Sequence, residues 1–136
     1  MADSFSSEQR SRNMRAVKAR DTKPEVSVRR LVHSLGYRFR LYRRDLPGTP
    51  DLAFIAKRKA IFVHGCFWHR HKYCPRGSAP QSNTEFWLAK LDKNVKRDAR
   101  AIKELRSSGW KVLVLWECKL SDSEGLRRMI KRFLAR

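Results

Sequence analysis

The apolar positions of the chain follow helical spacing in some segments and strand alternation in others. Val28, Leu31, Val32 and Leu35 recur at helical spacing and stop at Gly36, which predicts a first helix. Residues 37–42 alternate as a strand does. Residues 51–55 and 60–63 read as two further strands, joined by a charged hairpin turn over residues 57–59.

The second half of the chain predicts two more helices around one buried strand. The long amphipathic helix is marked by Leu88, Leu91, Val95, Ala99, Ile102 and Leu105, and it stops at Gly109. Residues 110–116 are almost wholly apolar and β-branched, which is typical of a strand buried on both faces. The last helix turns Leu126, Met129, Ile130, Phe133 and Leu134 inward.

Helix starts are marked by pairs of a hydroxyl residue and a glutamate three positions later. Thr22 with Glu25, Ser82 with Glu85 and Ser121 with Glu124 have the spacing of capping boxes. The resulting order is α-β-β-β-α-β-α, without internal repeats. We therefore expect a single α/β domain over residues 22–136, with a mixed central sheet flanked by helices.

Residues 1–21 are polar and basic, and they form a predicted N-terminal arm. A disordered arm explains this composition, and so does an arm that becomes ordered on DNA. Met14 is the one sizeable apolar side chain in the middle of this arm.

The net charge of the chain indicates the class of partner that it binds. The chain has 32 Lys and Arg against 13 Asp and Glu, a formal net charge of +19, so we expect a polyanionic partner, either nucleic acid or an anionic membrane surface. No stretch reaches the roughly 18 apolar residues of a membrane span, and the N-terminus does not resemble a signal peptide. These features predict a soluble cytoplasmic protein, in which three cysteines favour a metal site or free thiols over disulfides.

Residues 64–74 gather three of the four histidines and two of the three cysteines. Cys66, His71 and Cys74 offer three metal ligands, and Cys118 follows the predicted buried strand, where the fold could return it to this stretch. Four such ligands in a tetrahedron make a structural zinc site. Spacing alone allows His64 or His69 to replace His71. Two buried thiols beside a solvated histidine are the alternative, and zinc is favoured because one site would use all three cysteines.

Asp51 follows a proline at the start of a strand, a position from which metal nucleases present a carboxylate to Mg²⁺. A role as a turn cap explains it equally well. The next strand lacks an acid at the corresponding place, so Val63 can offer only its backbone carbonyl, and His64 or His69 would have to move the proton. Glu25 is explained by its capping box, although its carboxylate could also approach a metal-bound water.

Aromatic residues stand in polar surroundings at two places. Phe67 and Trp68 lie between metal-type ligands, and Phe86 and Trp87 open the long helix. Core packing is the usual role of such pairs, whereas wedges between base steps are how some proteins open a duplex. One face of the long helix, with Lys90, Lys93, Asn94, Lys96, Arg97 and Arg100, fits phosphates and base edges, or simply faces solvent.

With these residues in view, the chain resembles the very short patch repair DNA mismatch endonucleases. The resemblance rests on residues 21–25, 46–51, 61–69, 84–87, 93–98 and 109–118, and its most specific element is His-Gly-Cys-Phe-Trp-His at residues 64–69. It implies a restriction-endonuclease-like fold with a structural zinc. It also implies Mg²⁺-dependent nicking of duplex DNA on the 5′ side of the thymine in a T·G mismatch, the product of 5-methylcytosine deamination.

The resemblance also implies roles for individual residues. Asp51 and the carbonyl of Val63 would hold Mg²⁺, and His69 would be the general base, supported by His64 and Glu25. Some family members carry Thr at position 63, and a carbonyl ligand tolerates Val there. The implied zinc ligands are Cys66, His71, Cys74 and Cys118, and the implied mismatch-recognition residues are Met14, Phe67, Trp68, Trp87, Lys90 and Asn94.

The expected partner is double-stranded DNA with a mismatch, bound by a monomer in the bacterial cytoplasm at the nucleoid. Mismatch-repair proteins are candidate partners, and no membrane is involved. Two alternatives stay open at this point. One is an endonuclease of the same fold acting on other DNA substrates, and the other is a non-catalytic zinc module that binds DNA.

Overall fold

The computed structural model describes residues 22–72, 74–75 and 81–135. The predicted arm over residues 1–21, with Met14, lies outside them. The described elements are, in order, α1 Lys23–Ser34, β1 Arg40–Leu41, β2 Leu52–Phe54, β3 Lys59–His64, α2 Thr84–Ser107, β4 Lys111–Trp116 and α3 Ser123–Ala135. Short 3₁₀ turns follow β2 (Ile55–Lys57) and β4 (Glu117–Lys119). The predicted order α-β-β-β-α-β-α is confirmed.

The four strands form one mixed sheet in the order β1-β2-β3-β4. The first three pair antiparallel, with Leu52 opposite Ile61. β4 pairs parallel to β3, with His64 opposite Trp116. A parallel neighbour requires a crossover connection, and α2 provides it.

Helices cover both faces of the sheet, and the alternation of β3 explains how. Ile61 and Val63 pack in one cluster with Val28 of α1 and Ile130 of α3. Ala60 and Phe62 point the other way, towards Leu105 of α2. Every residue of β3 is therefore buried, as expected for the inner strand of a layered α/β structure.

The structure confirms one predicted cap and corrects two. Thr22 accepts the Glu25 N–H while the Glu25 carboxylate accepts the Thr22 N–H, which completes the first capping box. The box predicted for Ser82 with Glu85 is wrong, because the chain enters α2 at Asn83 in a left-handed conformation (φ 54°) without a side-chain cap. The last helix begins after Asp122, whose carboxylate accepts the Gly125 N–H at 3.1 Å, so Ser121 is not its cap.

The strand predicted to be buried on both faces is the half-buried edge strand β4. Leu115 is its one buried residue. No described strand pairs with the outer edge of β4, and α2 leaves Val114 and Trp116 lining a groove. An apolar composition does not distinguish an inner strand from such an edge strand.

The charged turn predicted over residues 57–59 ends one residue earlier than expected. Arg58 takes the left-handed conformation at the turn (φ 53°), and Lys59 is already in β3. Lys59 is 2% exposed, and its ammonium donates to the Phe133 carbonyl of α3 at 2.6 Å. Its positive charge satisfies a carbonyl at the C-terminal end of that helix.

Among the described residues, no helix combines the length and the apolar character that a membrane crossing needs.

The turn before β2 depends on Gly48, and we predict that alanine there is costly. Gly48 has φ 74°, and a Cβ atom would lie 2.7 Å from the Ala101 Cβ of α2. Left-handed strain of about 1–2 kcal/mol and overpacking of about 1–3 kcal/mol should both lower the unfolding free energy of Gly48→Ala.

Gly36→Ala is the matched control, because Gly36 also has a positive φ (87°) but a Cβ atom at this position would meet nothing within 4 Å. Urea unfolding of both variants measures the comparison. The unfolding free energy of Gly36→Ala should fall only by the strain contribution. Equal decreases in the unfolding free energy of the two variants would contradict the close packing of Gly48 against α2.

Candidate functional site

One end of the sheet brings together the start of β2, the end of β3 and the first turn of α1. Asp51 immediately precedes β2, and the antiparallel register with β3 places it beside the Phe62–Val63 peptide. The Val63 N–H donates to the Asp51 carboxylate at 2.6 Å. The structure thus brings Asp51 and Val63 together. The contact it shows is through the Val63 N–H, and a metal contact of the Val63 carbonyl remains a prediction.

Glu25 has the capping role expected from its sequence position, and it also lies near Asp51. It completes the capping box of α1, it is 5% exposed, and it accepts the Tyr42 hydroxyl at 2.5 Å. Its carboxylate adds to the effect of burial, which raises the pKa of Asp51. Sequence reasoning missed Tyr42 and Arg29, which lies 3.5 Å from the Glu25 carboxylate. The sequence signal for Arg29 was its position one helical turn after Glu25, where a cation can pair with that carboxylate.

Burial raises the pKa of Asp51 to about 7, from an ordinary value of 3.8. The Val63 N–H opposes this shift by stabilising the carboxylate, and the nearby Glu25 carboxylate adds to it. A divalent cation between the two carboxylates would offset both the burial and the repulsion. Carboxylate oxygens are the ligands that Mg²⁺ prefers, so the residues present fit such an ion.

His64 and His69 form a stacked pair beside this end of the sheet. Their ring centroids are 3.9 Å apart and the rings are nearly parallel, at 4°. His64 is buried, and burial, helped by the neighbouring His69, lowers its pKa to about 4. His64 is therefore neutral near pH 7. Asp98 opposes the shift only in part.

Asp98 of α2 accepts a hydrogen bond from Nδ1 of His69. A carboxylate on one ring nitrogen fixes the tautomer and leaves Nε2 free to take a proton, which is the arrangement of a general base with its orienting partner. Sequence reasoning did not assign a role to Asp98. The available signal was an acid on the otherwise apolar face of α2, between Val95 and Ile102.

The donor atoms of His64, His69 and Asp98 lie within 4.8 Å of one another, the spacing of a metal site. Ring lone pairs lie in the ring planes, however, and these planes are almost parallel. They do not converge on one ion, and the set is better suited to proton transfer.

A second cluster contains the three cysteines and one histidine. The donor atoms of Cys66, His71, Cys74 and Cys118 lie within 4.8 Å of one another. Nδ1 of His71 is 3.6 Å from Sγ of Cys66 and 3.3 Å from Sγ of Cys118. A zinc ion with one nitrogen and three thiolate ligands requires edges of about 3.5 Å, so the cluster fits zinc.

The parallel pairing of β3 and β4 explains how Cys118 returns to the loop. His64 lies opposite Trp116, and two residues beyond each of them stand Cys66 and Cys118. The structure also selects His71 as the nitrogen donor among the three histidines. Burial raises the pKa of the Cys66 thiol to about 11, and a bound cation would reverse this shift by stabilising the thiolate.

Trp116 connects the two clusters. Its ring stacks on His71, with centroids 4.2 Å apart, and meets the edge of His64 at 5.1 Å. Beside it, a groove of about 1120 Å³ lies between α2 and β4, with His69 and Asp98 on its wall. The proton-transfer pair is therefore reachable from solvent.

The predicted recognition residues within the described chain form one group. Phe67 and Trp68 are half-buried and meet Trp87 edge to face, at 5.6 and 6.1 Å between centroids. Lys90 lies 5.7 Å from the rings of both tryptophans. The side-chain amide of Asn94 donates to the Trp68 carbonyl at 3.1 Å. Trp87 itself is 4% exposed and supports the other two rings from inside.

Comparisons with known proteins agree on one family. A family model described as DNA mismatch endonuclease Vsr matches residues 2–75. The chain is 46% identical to type II nicking enzyme V.XorIIP of Xanthomonas oryzae pv. oryzae, over 98% of each chain. It is also 46% identical to DNA mismatch endonuclease Vsr of Escherichia coli, over 93% of this chain and 80% of that one.

Among solved structures, the catalytic domain of homing endonuclease I-Bth0305I is similar, with a TM-score of 0.60 and 22% identity. The match covers 85% of this chain and 96% of that domain. At this identity the similarity shows the fold alone. The mixed sheet with helices on both faces is thus restriction-endonuclease-like, as the sequence predicted.

The raised pKa of Asp51 predicts how stability depends on pH. Between pH 4 and 7 the folded protein holds a proton that the unfolded chain has released, so stability falls as the pH rises through this window. Asp51→Asn keeps an acceptor for the Val63 N–H and removes the charge. The unfolding free energy of Asp51→Asn minus that of the parent should therefore rise by on the order of 2–4 kcal/mol from pH 4 to pH 8 without divalent cations.

Urea unfolding at several pH values measures this difference. Asp45→Asn is the control, because Arg43 lowers the pKa of that exposed carboxylate and the opposite, small trend is expected. Adding Mg²⁺ at pH 8 should stabilise the parent more than Asp51→Asn. Stability curves of parent and Asp51→Asn that stay parallel with pH would contradict the assignment.

Proposed function

The chain belongs to the DNA mismatch endonuclease Vsr family, and we propose that it is a Mg²⁺-dependent enzyme that nicks duplex DNA on the 5′ side of the thymine in a T·G mismatch. One observation supports catalysis most directly. The Asp51 carboxylate accepts a hydrogen bond from the Val63 N–H. His64, the next residue, stacks on His69, which is hydrogen-bonded to Asp98. A metal-type carboxylate and an oriented base thus lie in one contiguous group.

In this proposal Asp51 and the Val63 carbonyl would hold Mg²⁺, supported by the Glu25 carboxylate, and the ion would neutralise charge on the phosphate. His69 accepts a proton at Nε2 from the attacking water, and Asp98 stabilises the imidazolium that forms. The water oxygen forms a bond to phosphorus while the bond to the 3′ oxygen breaks. The departing 3′ oxygen takes up a proton from solvent, which leaves a 5′-phosphate and a 3′-hydroxyl. His64, neutral because of its low pKa, supports the His69 ring without adding a second positive charge.

Selectivity would come from the aromatic group. A mispair costs less to unstack than a matched pair, so rings that enter the base stack favour mismatched DNA. Phe67 and Trp68 lead this wedge, Trp87 contributes to it, and Lys90 and Asn94 lie beside them to meet the mispair. Met14 belongs to the same proposal, although it lies outside the described residues.

The proposal also includes a structural zinc at Cys66, His71, Cys74 and Cys118. All four positions are taken by protein donors, as in closed structural sites. The partner would be mismatched duplex DNA, bound by a monomer in the bacterial cytoplasm, and the net charge of +19 supports a polyanion. Mismatch-repair proteins stay candidate partners.

A nicking assay tests catalysis. We expect the parent to cut a T·G duplex with Mg²⁺ and to leave the matched duplex intact. Asp51→Asn should lose nearly all cutting while keeping mismatch affinity within about threefold, because phosphate contacts and stacking supply the binding. Asp45→Asn, on an exposed loop, should cut normally.

Two results would overturn this assignment. Substantial cutting by Asp51→Asn would remove Asp51 from the reaction. Mismatch binding by the parent without any cutting would favour the non-catalytic zinc module, and equal cutting of matched duplexes would favour an endonuclease with other substrates.

The zinc assignment predicts one zinc per chain by metal analysis. Cys118→Ala should lose this zinc and unfold at a clearly lower temperature, because a structural metal contributes directly to folding. His33→Ala, which changes an exposed histidine on α1, should keep both. Full stability after complete zinc removal would rule the site out as structural.

A further inference from the structure

The first turn of α2 exposes an aromatic ring to which the proposed function gives no role. Phe86 is 60% exposed, the largest exposure among the large hydrophobic side chains that the structure describes. Its neighbour Trp87 is 4% exposed. The sequence favoured Trp87 as a DNA contact, yet the helical register of α2 turns Trp87 and Leu91 inward and Phe86 outward.

Phe86 belongs to a continuous set of ring contacts. It meets Trp87 edge to face, with centroids 5.4 Å apart and an angle of 76°. Trp87 in turn contacts Phe67 and Trp68, so Phe86 is the outermost of four connected rings. Since Trp87 is held between the other three, the position of the Phe86 ring is tied to the proposed wedge.

Charge on this side of the helix suits a nucleic acid. Lys90 lies one turn beyond Phe86, and its ammonium is near the rings of Trp68 and Trp87. An exposed aromatic face beside such a cation is the combination that binds unstacked bases and their phosphates. Met129 is also well exposed, at 45%, but it lies on α3, across the sheet from α2.

We propose that Phe86 is a further mismatch-recognition residue whose exposed ring stacks on a base unstacked at the mismatch, while buried Trp87 supports it from within the protein. This inference rests on the proposed function. It adds a residue to the DNA interface that the sequence motif did not assign.

The test compares Phe86→Ala, Phe86→Tyr and Met129→Ala for affinity to T·G and matched duplexes at one salt concentration, with the melting temperature of each. Phe86→Ala should weaken binding to the mismatched duplex by about 5- to 50-fold, the worth of one stacked base. Binding to the matched duplex should change less than about twofold, since phosphate contacts dominate there. The melting temperature should stay near that of the parent, because the ring is exposed.

Phe86→Tyr should restore the mismatch preference, and Met129→Ala should leave both affinities unchanged. The inference is overturned if Phe86→Ala binds the T·G duplex as the parent does, if it loses both affinities equally, or if its loss accompanies a large drop in melting temperature. A parent protein that neither prefers nor cuts the T·G duplex would instead refute the proposed function. Failure of the inference and failure of the function are therefore distinguishable.

Discussion

The parallel pairing of β3 with β4 is the constraint on which the rest of the site depends. Parallel strands bring their C-terminal ends to the same edge of a sheet, so His64 stands opposite Trp116. Two residues further along both strands, Cys66 and Cys118 come together in the thiol cluster. The pairing requires the α2 crossover, and α2 carries Asp98 to His69 and Lys90 to the aromatic rings.

The Cys/His cluster and the histidine pair are connected through this arrangement. Trp116 stacks on His71 of the Cys/His cluster and touches His64 of the histidine pair. The loop between Cys66 and His71 contains Phe67, Trp68 and His69, so one short segment carries the proposed wedge and the proposed base between two residues of the Cys/His cluster. Holding both ends of this segment would limit its motion, which explains how a structural metal would serve recognition and proton transfer together.

Opposing charges are distributed unevenly over the molecule. Two carboxylates, the buried Glu25 and the partly buried Asp51, lie close together at the end of the sheet, while the surface carries most of the net charge of +19. Burial, together with repulsion from Glu25, raises the pKa of Asp51, and a bound cation would offset both effects. Such repulsion is expected where a site is built for a metal ion and a phosphate, and the basic surface favours approach of DNA.

The sequence by itself determined the element order, the first capping box and the three cysteines of the Cys/His cluster, because these follow from local spacing and residue chemistry. It also supplied Asp51, His64 and His69 as candidate site residues. Only the tertiary structure placed His71, among the three histidines, with the three cysteines. It also paired Asp98 with His69, brought Glu25 near Asp51, and exposed Phe86 while burying Trp87. Each of these depends on strand register and helix rotation, which decide contacts between residues far apart in the chain.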